Sequence, residues 1–118
     1  MITGNKGEWS EAYTLLRLLG LGRLYAADEN LNQIDDMYFP IMKILREEQE
    51  GSNIEYNLTD GNLIDIYINN NYIKSVQTKD CTVEANYLFA KIIEGGNRAF
   101  AIEHTEAFLD DIGCERLA

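Results

Sequence analysis

The sequence predicts an α+β domain: an N-terminal helix, an antiparallel β-meander of about four strands, and two C-terminal helices packed on the sheet. Three observations predict it. A helix start signal with a 3.6-residue apolar period occupies residues 5–22. Period-two alternation interrupted by turn pairs runs from residue 54 to residue 77. Helical spacing then returns from residue 80. A chain of 118 residues has room for one core, so residues 1–118 are taken as a single domain.

Asn5 sits where an N-cap belongs and Glu8 follows three residues later, so each side chain can satisfy a free backbone N–H of the first turn. Trp9, Ala12, Leu16 and Leu19 then share one stripe, widened by Tyr13 and Leu15. Gly20 and Gly22 end the pattern, since glycine enters the left-handed C-cap conformation without steric cost. Arg23 to Gln33 is expected to be a connecting loop, with Leu24 and Tyr25 as anchors and Asp28-Glu29-Asn30 exposed. Tyr38 to Arg46 is rich in strand formers, and Pro40 places it early in a strand or on a sheet edge. Residues 47–53 are a polar break.

Ile54, Tyr56 and Leu58 alternate with polar residues, and Asp60-Gly61 is the pair favoured by a type I′ hairpin turn. Leu63 to Ile68 runs back, with Ile64, Ile66 and Ile68 on one face and Leu63, Asp65 and Tyr67 on the other. Asn69-Asn70-Asn71 makes the next turn and Tyr72 to Gln77 the last strand. Thr82 or Asp80 is expected to cap a helix with Val83, Tyr87, Ala90 and Ile93 on its apolar stripe, reinforced by Leu88, Phe89 and Ile92 and stopped by Gly95-Gly96. Ala101, Thr105, Phe108 and Ile112 define a final helix closed by Gly113.

Composition narrows the function. Hydrophobic content of 46% with 25% charged residues is ordinary for a globular domain. No apolar run approaches the ~18–20 residues of a membrane span. Residues 1–11 lack the basic and apolar segments of a signal peptide, so a cytoplasmic location is expected, with Cys81 and Cys114 as reduced thiols. Net charge is −10, from 20 acids against 10 scattered bases. A module that clamps DNA gains affinity by neutralising phosphates with Lys and Arg. Autonomous DNA binding by so acidic a chain is therefore not expected.

The wording of residues 4–32 is more specific than its physics. GNKGEWSE, a leucine-rich helix, and then GRLYAADENLN resembles the N-terminus of HpaII-type restriction endonucleases. The likeness continues more weakly through Tyr38-Phe39-Pro40-Ile41-Met42-Lys43-Ile44, and beyond that rests on the strand–helix rhythm. What it implies is a portion of a type II enzyme that cuts double-stranded DNA with Mg2+ in restriction–modification defence. It also implies that the catalytic Asp and the x-Lys strand lie later than residue 118. The chain would then be an N-terminal domain that packs against the catalytic part of its own polypeptide and shapes the DNA cleft or a homodimer. It would hold no cofactor itself.

Such magnesium nucleases hold the metal with an Asp on one strand and an acid-x-Lys on the next. The residues two before each lysine are Gly4, Ile41, Tyr72, Gln77 and Phe89, and none is acidic. Asp65, with Gln77 and Lys79 at the end of the following strand and Glu11 on the first helix, forms a near miss in which an amide replaces the acid. A compact Mg-dependent nuclease built on Asp65, Gln77 and Lys79 is one alternative. A small acidic protein-interaction module is the other. Glu8 and Glu11 share a turn, which suits a helix N-terminus better than a metal. His104, the single histidine, has no nucleophile or second histidine near it in sequence and suits a surface or capping role. Glu103, Glu106, Asp110 and Asp111 are expected to form a solvated acidic face. Trp9 is expected in the core. No catalytic, metal or cofactor residue is therefore assigned within residues 1–118.

Overall fold

A computed structural model describes residues 3–41, 43–49, 51–96 and 98–114. In chain order these form β1 (Thr3–Gly4), α1 (Lys6–Leu21), β2 (Arg23–Ala27), β3 (Gln33–Pro40), β4 (Lys43–Gln49), β5 (Ser52–Asp60), β6 (Leu63–Ile68), β7 (Asn71–Gln77), α2 (Thr78–Glu94), β8 (Phe100–Ala101) and α3 (Glu103–Asp111). The α+β expectation holds: one helix, an antiparallel four-stranded meander in the order β4-β5-β6-β7, and two helices after it.

The first helix begins as its capping residues dictate. Asn5 Oδ1 accepts from the Glu8 N–H at 2.9 Å and the Glu8 carboxylate accepts from the Asn5 N–H at 3.3 Å, a reciprocal capping box. At the other end Gly22 takes φ 66° and its N–H reaches the Leu18 carbonyl at 2.8 Å. Gly20 is not part of that cap. It lies inside α1, where a Cβ would sit 3.0 Å from the backbone nitrogen of Thr82, so its job is to let α2 approach. Trp9, Ala12, Leu15, Leu16 and Leu19 are buried.

Residues 23–33 are not a loop. Arg23 to Ala27 pairs antiparallel with Gln33 to Pro40, with Arg23 opposite Pro40. The tight tip explains the hairpin: Asp28 Oδ1 accepts from the N–H groups of Asn30 (2.8 Å) and Asn32 (2.9 Å), an Asx turn. Pro40 ends β3 instead of opening a strand, but it does lie on a sheet edge, since β3 belongs to a two-stranded sheet with β2; Tyr38 to Arg46 is split between β3 and β4. Met42 and Glu50 lie outside the described residues.

In the meander, β4 runs on to Gln49, so the polar break of residues 47–53 shrinks to the turn around Gly51, whose φ is 81°. Asp60 pairs with Leu63, so Gly61 and Asn62 form the loop one residue later than expected. Gly61 supplies the positive φ (52°) that a primed turn needs at its first position. Asn69 and Asn70 both take positive φ, 49° and 69°, as a type I′ turn demands. Ile54, Tyr56, Leu58, Ile64 and Ile66 are buried on the helix side. Tyr56 carries its hydroxyl into that core and donates it to the Ile112 carbonyl at 3.0 Å, fixing the end of α3 on the sheet.

α2 starts at Thr78, directly after the last residue of β7, Gln77, with no side-chain cap; Asp80 is in its first turn and Thr82 in its second. Its core-facing stripe is Cys81, Glu84, Ala85 and Leu88. The stripe read from the sequence, Val83, Tyr87, Ala90 and Ile93, is exposed instead, as is Phe89, while Leu88 is buried and Ile92 packs against the core. Periodicity finds an apolar stripe but not which stripe meets the core, and here a buried glutamate disguised the inner one. Ala101 belongs to β8, which pairs with β1, so α3 begins only at Glu103. Gly95 stops α2 and has Phe100 Cε1 within 2.7 Å of where a Cβ would stand.

Trp9 is fully buried, and its indole Nε1 donates to the Phe100 carbonyl at 2.9 Å. Trp9→Ala should lower stability by about 3–5 kcal/mol, read as a fall in the urea midpoint without a change of slope. An unchanged midpoint would mean that α1 is held by something other than this anchor.

Candidate functional site

The corner where β6, β7 and α2 meet carries the residues closest to a nuclease pattern. Asp65 on β6 stands opposite Ser75 on β7, and Leu63 stands opposite Gln77. Asp65 and Gln77 are thus diagonal neighbours on the outer face of the sheet, about 7–8 Å apart by strand geometry. Asp65 is engaged: it accepts the Ser75 hydroxyl at 2.5 Å, and Ser75 in turn meets the Tyr72 hydroxyl at 2.7 Å. Gln77, Thr78 and Lys79 line a shallow depression with Asn62 and Leu63, and Asp65 is not in its wall. Lys79 has left the sheet for the first turn of α2, not the strand end.

Glu11 does not join them. Gly20 meets Thr82 and the Tyr13 ring meets the Phe89 ring at 5.6 Å, so α1 and α2 run antiparallel. Glu11 therefore lies beside the C-terminal half of α2, about twelve residues along from Lys79, or roughly 18 Å at 1.5 Å per residue. Glu8 is spent on the capping box. On α3, Asp111 pairs with Lys74 at 2.7 Å, and Glu103 and Glu106 occupy the first turn, where they complement the helix dipole. Among the described residues no three of His, Cys, Asp and Glu gather closely enough to hold a metal. The donor set of this corner, one engaged carboxylate and one amide, does not fit a magnesium ion, which favours carboxylate oxygens.

One polar cluster escaped the sequence reading. Glu84 is buried between α2 and α3, where its carboxylate accepts the Thr105 hydroxyl at 2.7 Å and meets His104 Nδ1 at 2.9 Å. His104 is itself exposed and lies against the Tyr87 ring at 5.0 Å. A buried carboxylate needs such partners, and this one ties the two C-terminal helices together. The signal available in the sequence was an acid within an apolar helical stripe, at the spacing of Cys81, Ala85 and Leu88. Next to it, burial pushes the Cys81 thiol up to about 12, with the charges of Asp80 and Glu84 adding to the effect. Cys81 and Cys114 are both free and buried.

Three lysines meet acids: Lys43 lies 3.9 Å from Glu55, Lys74 pairs with Asp111, and Lys91 lies 3.4 Å from Glu94. Arg17 and Arg23 flank a groove between α1 and the β2–β3 hairpin that Tyr13 and Tyr25 also line. Arg23 stacks over the Tyr38 ring at 4.4 Å. This is a local basic spot on an acidic molecule and not a continuous phosphate track. No described helix is long and apolar enough to cross a membrane.

Comparison with known proteins resolves the lineage. The HpaII restriction endonuclease family matches residues 5–118. The chain belongs to that family. It is 38% identical over 119 residues to the type II restriction enzyme HpaII of Haemophilus parainfluenzae, an alignment covering 98% of this chain and 32% of that enzyme. The chain thus spans about a third of the length of the HpaII enzyme it matches. No solved structure matches it. Likeness within the family therefore extends well past the N-terminal wording, through the meander and both C-terminal helices.

Two measurements probe the α2–α3 contact in this HpaII-family chain. Thr105→Val removes one donor from the buried Glu84 carboxylate and should cost about 1–3 kcal/mol in urea unfolding. The raised Cys81 value means that the folded chain keeps a proton which the unfolded chain loses. Stability from this group is complete below pH 9, the ordinary thiol value, and is lost as pH rises towards 12. The urea midpoint of the wild type should accordingly fall more steeply over that range than that of Cys81→Ala.

Proposed function

We propose that the chain is the N-terminal domain of a type II site-specific DNA endonuclease of restriction–modification defence. It packs against the catalytic part of the same polypeptide, shapes the cleft that receives double-stranded DNA, and does not cut alone. Family membership supports the enzyme class. The observation that carries the division of labour is the scatter of the candidate groups: Asp65 is bonded to Ser75, Lys79 has moved onto α2, and Glu11 lies along the far half of that helix. Magnesium is assigned to the catalytic part, where the family resemblance puts the Asp and the x-Lys strand.

The acidic balance supports the same reading. With a net charge of −10 the domain repels phosphate at long range, so contact with DNA requires a more basic neighbour. The domain then acts through positioning: it braces the cleft from the side and contributes Arg17 and Arg23 at most.

The test compares the isolated chain with the longer enzyme. With Mg2+ and supercoiled plasmid, the purified 118 residues should produce no nicks and the longer enzyme should cut at fixed sites. In the longer enzyme, Asp65→Ala and Lys79→Ala should leave the cleavage rate within about threefold, under ~1 kcal/mol of barrier. Cleavage by the isolated chain, or a loss of about a thousandfold in either variant, would make the chain a compact nuclease centred on Asp65, Gln77 and Lys79.

A further inference from the structure

The groove between α1 and the β2–β3 ribbon brings two arginines to one wall of an acidic molecule. That wall holds Arg17 from α1 and Arg23 from β2, with Tyr13, Thr14, Tyr25 and Gln33 beside them, and no described carboxylate. Two other depressions on the domain differ. One sets Arg46 beside Glu55, so its charges offset. The one at the β6–β7 corner has a single cation, Lys79.

Local sequence keeps both arginines unmatched. The residues three and four away from Arg17 on α1 are Tyr13, Thr14, Gly20 and Leu21, so no acid of its own helix reaches it. Gly22 then turns the chain back, and β2 opens on Arg23. The Ile41 N–H donates to the Gly22 carbonyl at 2.9 Å, which fixes the base of the ribbon at the end of the helix. Arg23 stacks on Tyr38 and its Nη1 donates to the Tyr25 hydroxyl at 3.4 Å, so its guanidinium is oriented before any ligand arrives. Among the described residues neither guanidinium meets a carboxylate, and both side chains are exposed. Asp35 accepts from the Gln33 amide at 2.8 Å, and Gln33 stands opposite Ala27, at the far end of β2 from Arg23. The C-terminal end of α1 contributes roughly half an elementary negative charge, against two full positive ones.

We propose that this groove seats the sugar–phosphate backbone of the duplex DNA substrate, with Arg17 and Arg23 as the phosphate-binding groups. The inference rests on the function proposed above and deepens it by naming where the domain touches DNA. A phosphodiester suits the site, because a guanidinium presents paired N–H groups at the spacing of two phosphate oxygens. The net charge of −10 opposes the approach, but salt screens it beyond about 8 Å at physiological ionic strength. The contact therefore forms once another part of the enzyme has drawn the duplex in. Such a contact fixes the position of the duplex and reads no base.

Binding of a short duplex by the longer enzyme, without divalent metal, tests this apart from cleavage. The variants are Arg17→Gln, Arg23→Gln, Arg17→Lys and Lys6→Gln. Lys6 is an exposed lysine at the other end of α1, roughly 16 Å from Arg17 at 1.5 Å per residue. Each glutamine variant of an arginine should weaken binding about tenfold and lower the slope of log affinity against log salt by about one. Arg17→Lys should keep the slope, because the charge is retained, and Lys6→Gln should change neither quantity. All four should keep the wild-type urea midpoint, since the substituted side chains are exposed. Unchanged slopes in both Arg17→Gln and Arg23→Gln overturn the inference. So does an equal loss in Lys6→Gln, which would make the effect one of overall charge and not of this groove. A longer enzyme that binds duplex through Arg17 and Arg23 but cuts nothing with Mg2+ would remove the proposed function and leave the phosphate contact standing.

Discussion

The indole of Trp9 joins the two ends of the fold. Its N–H finds the Phe100 carbonyl, 91 positions away in sequence, and its ring fills the space under α1. Because Trp9 is fully buried, that N–H needs a partner inside the protein, and the carbonyl of β8 supplies it. Once Phe100 is held there, β8 can pair with β1, and the Phe100 ring closes over Gly95, where no side chain fits. The chain then turns directly into α3, whose end is fastened to the sheet by the Tyr56 hydroxyl. A single buried donor thus constrains the path of everything after α2.

The second constraint is steric. α1 and α2 approach so closely that Gly20 has to be glycine, with the Thr82 backbone filling the space of a Cβ. The approach turns the Cys81–Leu88 stripe inward and leaves the Val83–Ile93 stripe outside. It also fixes the two helices antiparallel and holds Glu11 away from Lys79. Helix packing, more than the strand residues themselves, is what keeps the carboxylates of this domain from converging.

Its acids serve the scaffold in recognisable ways. Glu8 completes a cap, Asp28 shapes the hairpin tip, Asp65 accepts from Ser75, Glu84 bridges α2 and α3, and Asp111 meets Lys74. Each of these bonds lies within or between neighbouring elements of this domain. Carboxylates tied into caps, turns and helix contacts in this way act as part of a scaffold. Family membership and the three-fold greater length of the matched HpaII enzyme agree with that character.

The amino-acid sequence by itself determined the features governed by near neighbours. The Asn5–Glu8 cap, the glycine end of α1, the alternation of β5 and β6, the asparagine turn before β7 and the α+β order are all encoded within a few residues. So was the family, carried by the wording of residues 4–32. The absence of an acid two before any lysine was equally legible, but not the route by which Asp65, Lys79 and Glu11 part. Tertiary structure alone decided the β2–β3 hairpin, the β1–β8 pair, the Glu84 cluster and which face of α2 meets the core. Each of these depends on residues far apart in sequence choosing one partner among several. Local periodicity is blind to that choice, because an apolar stripe satisfies the same pattern whether it faces its own sheet or solvent.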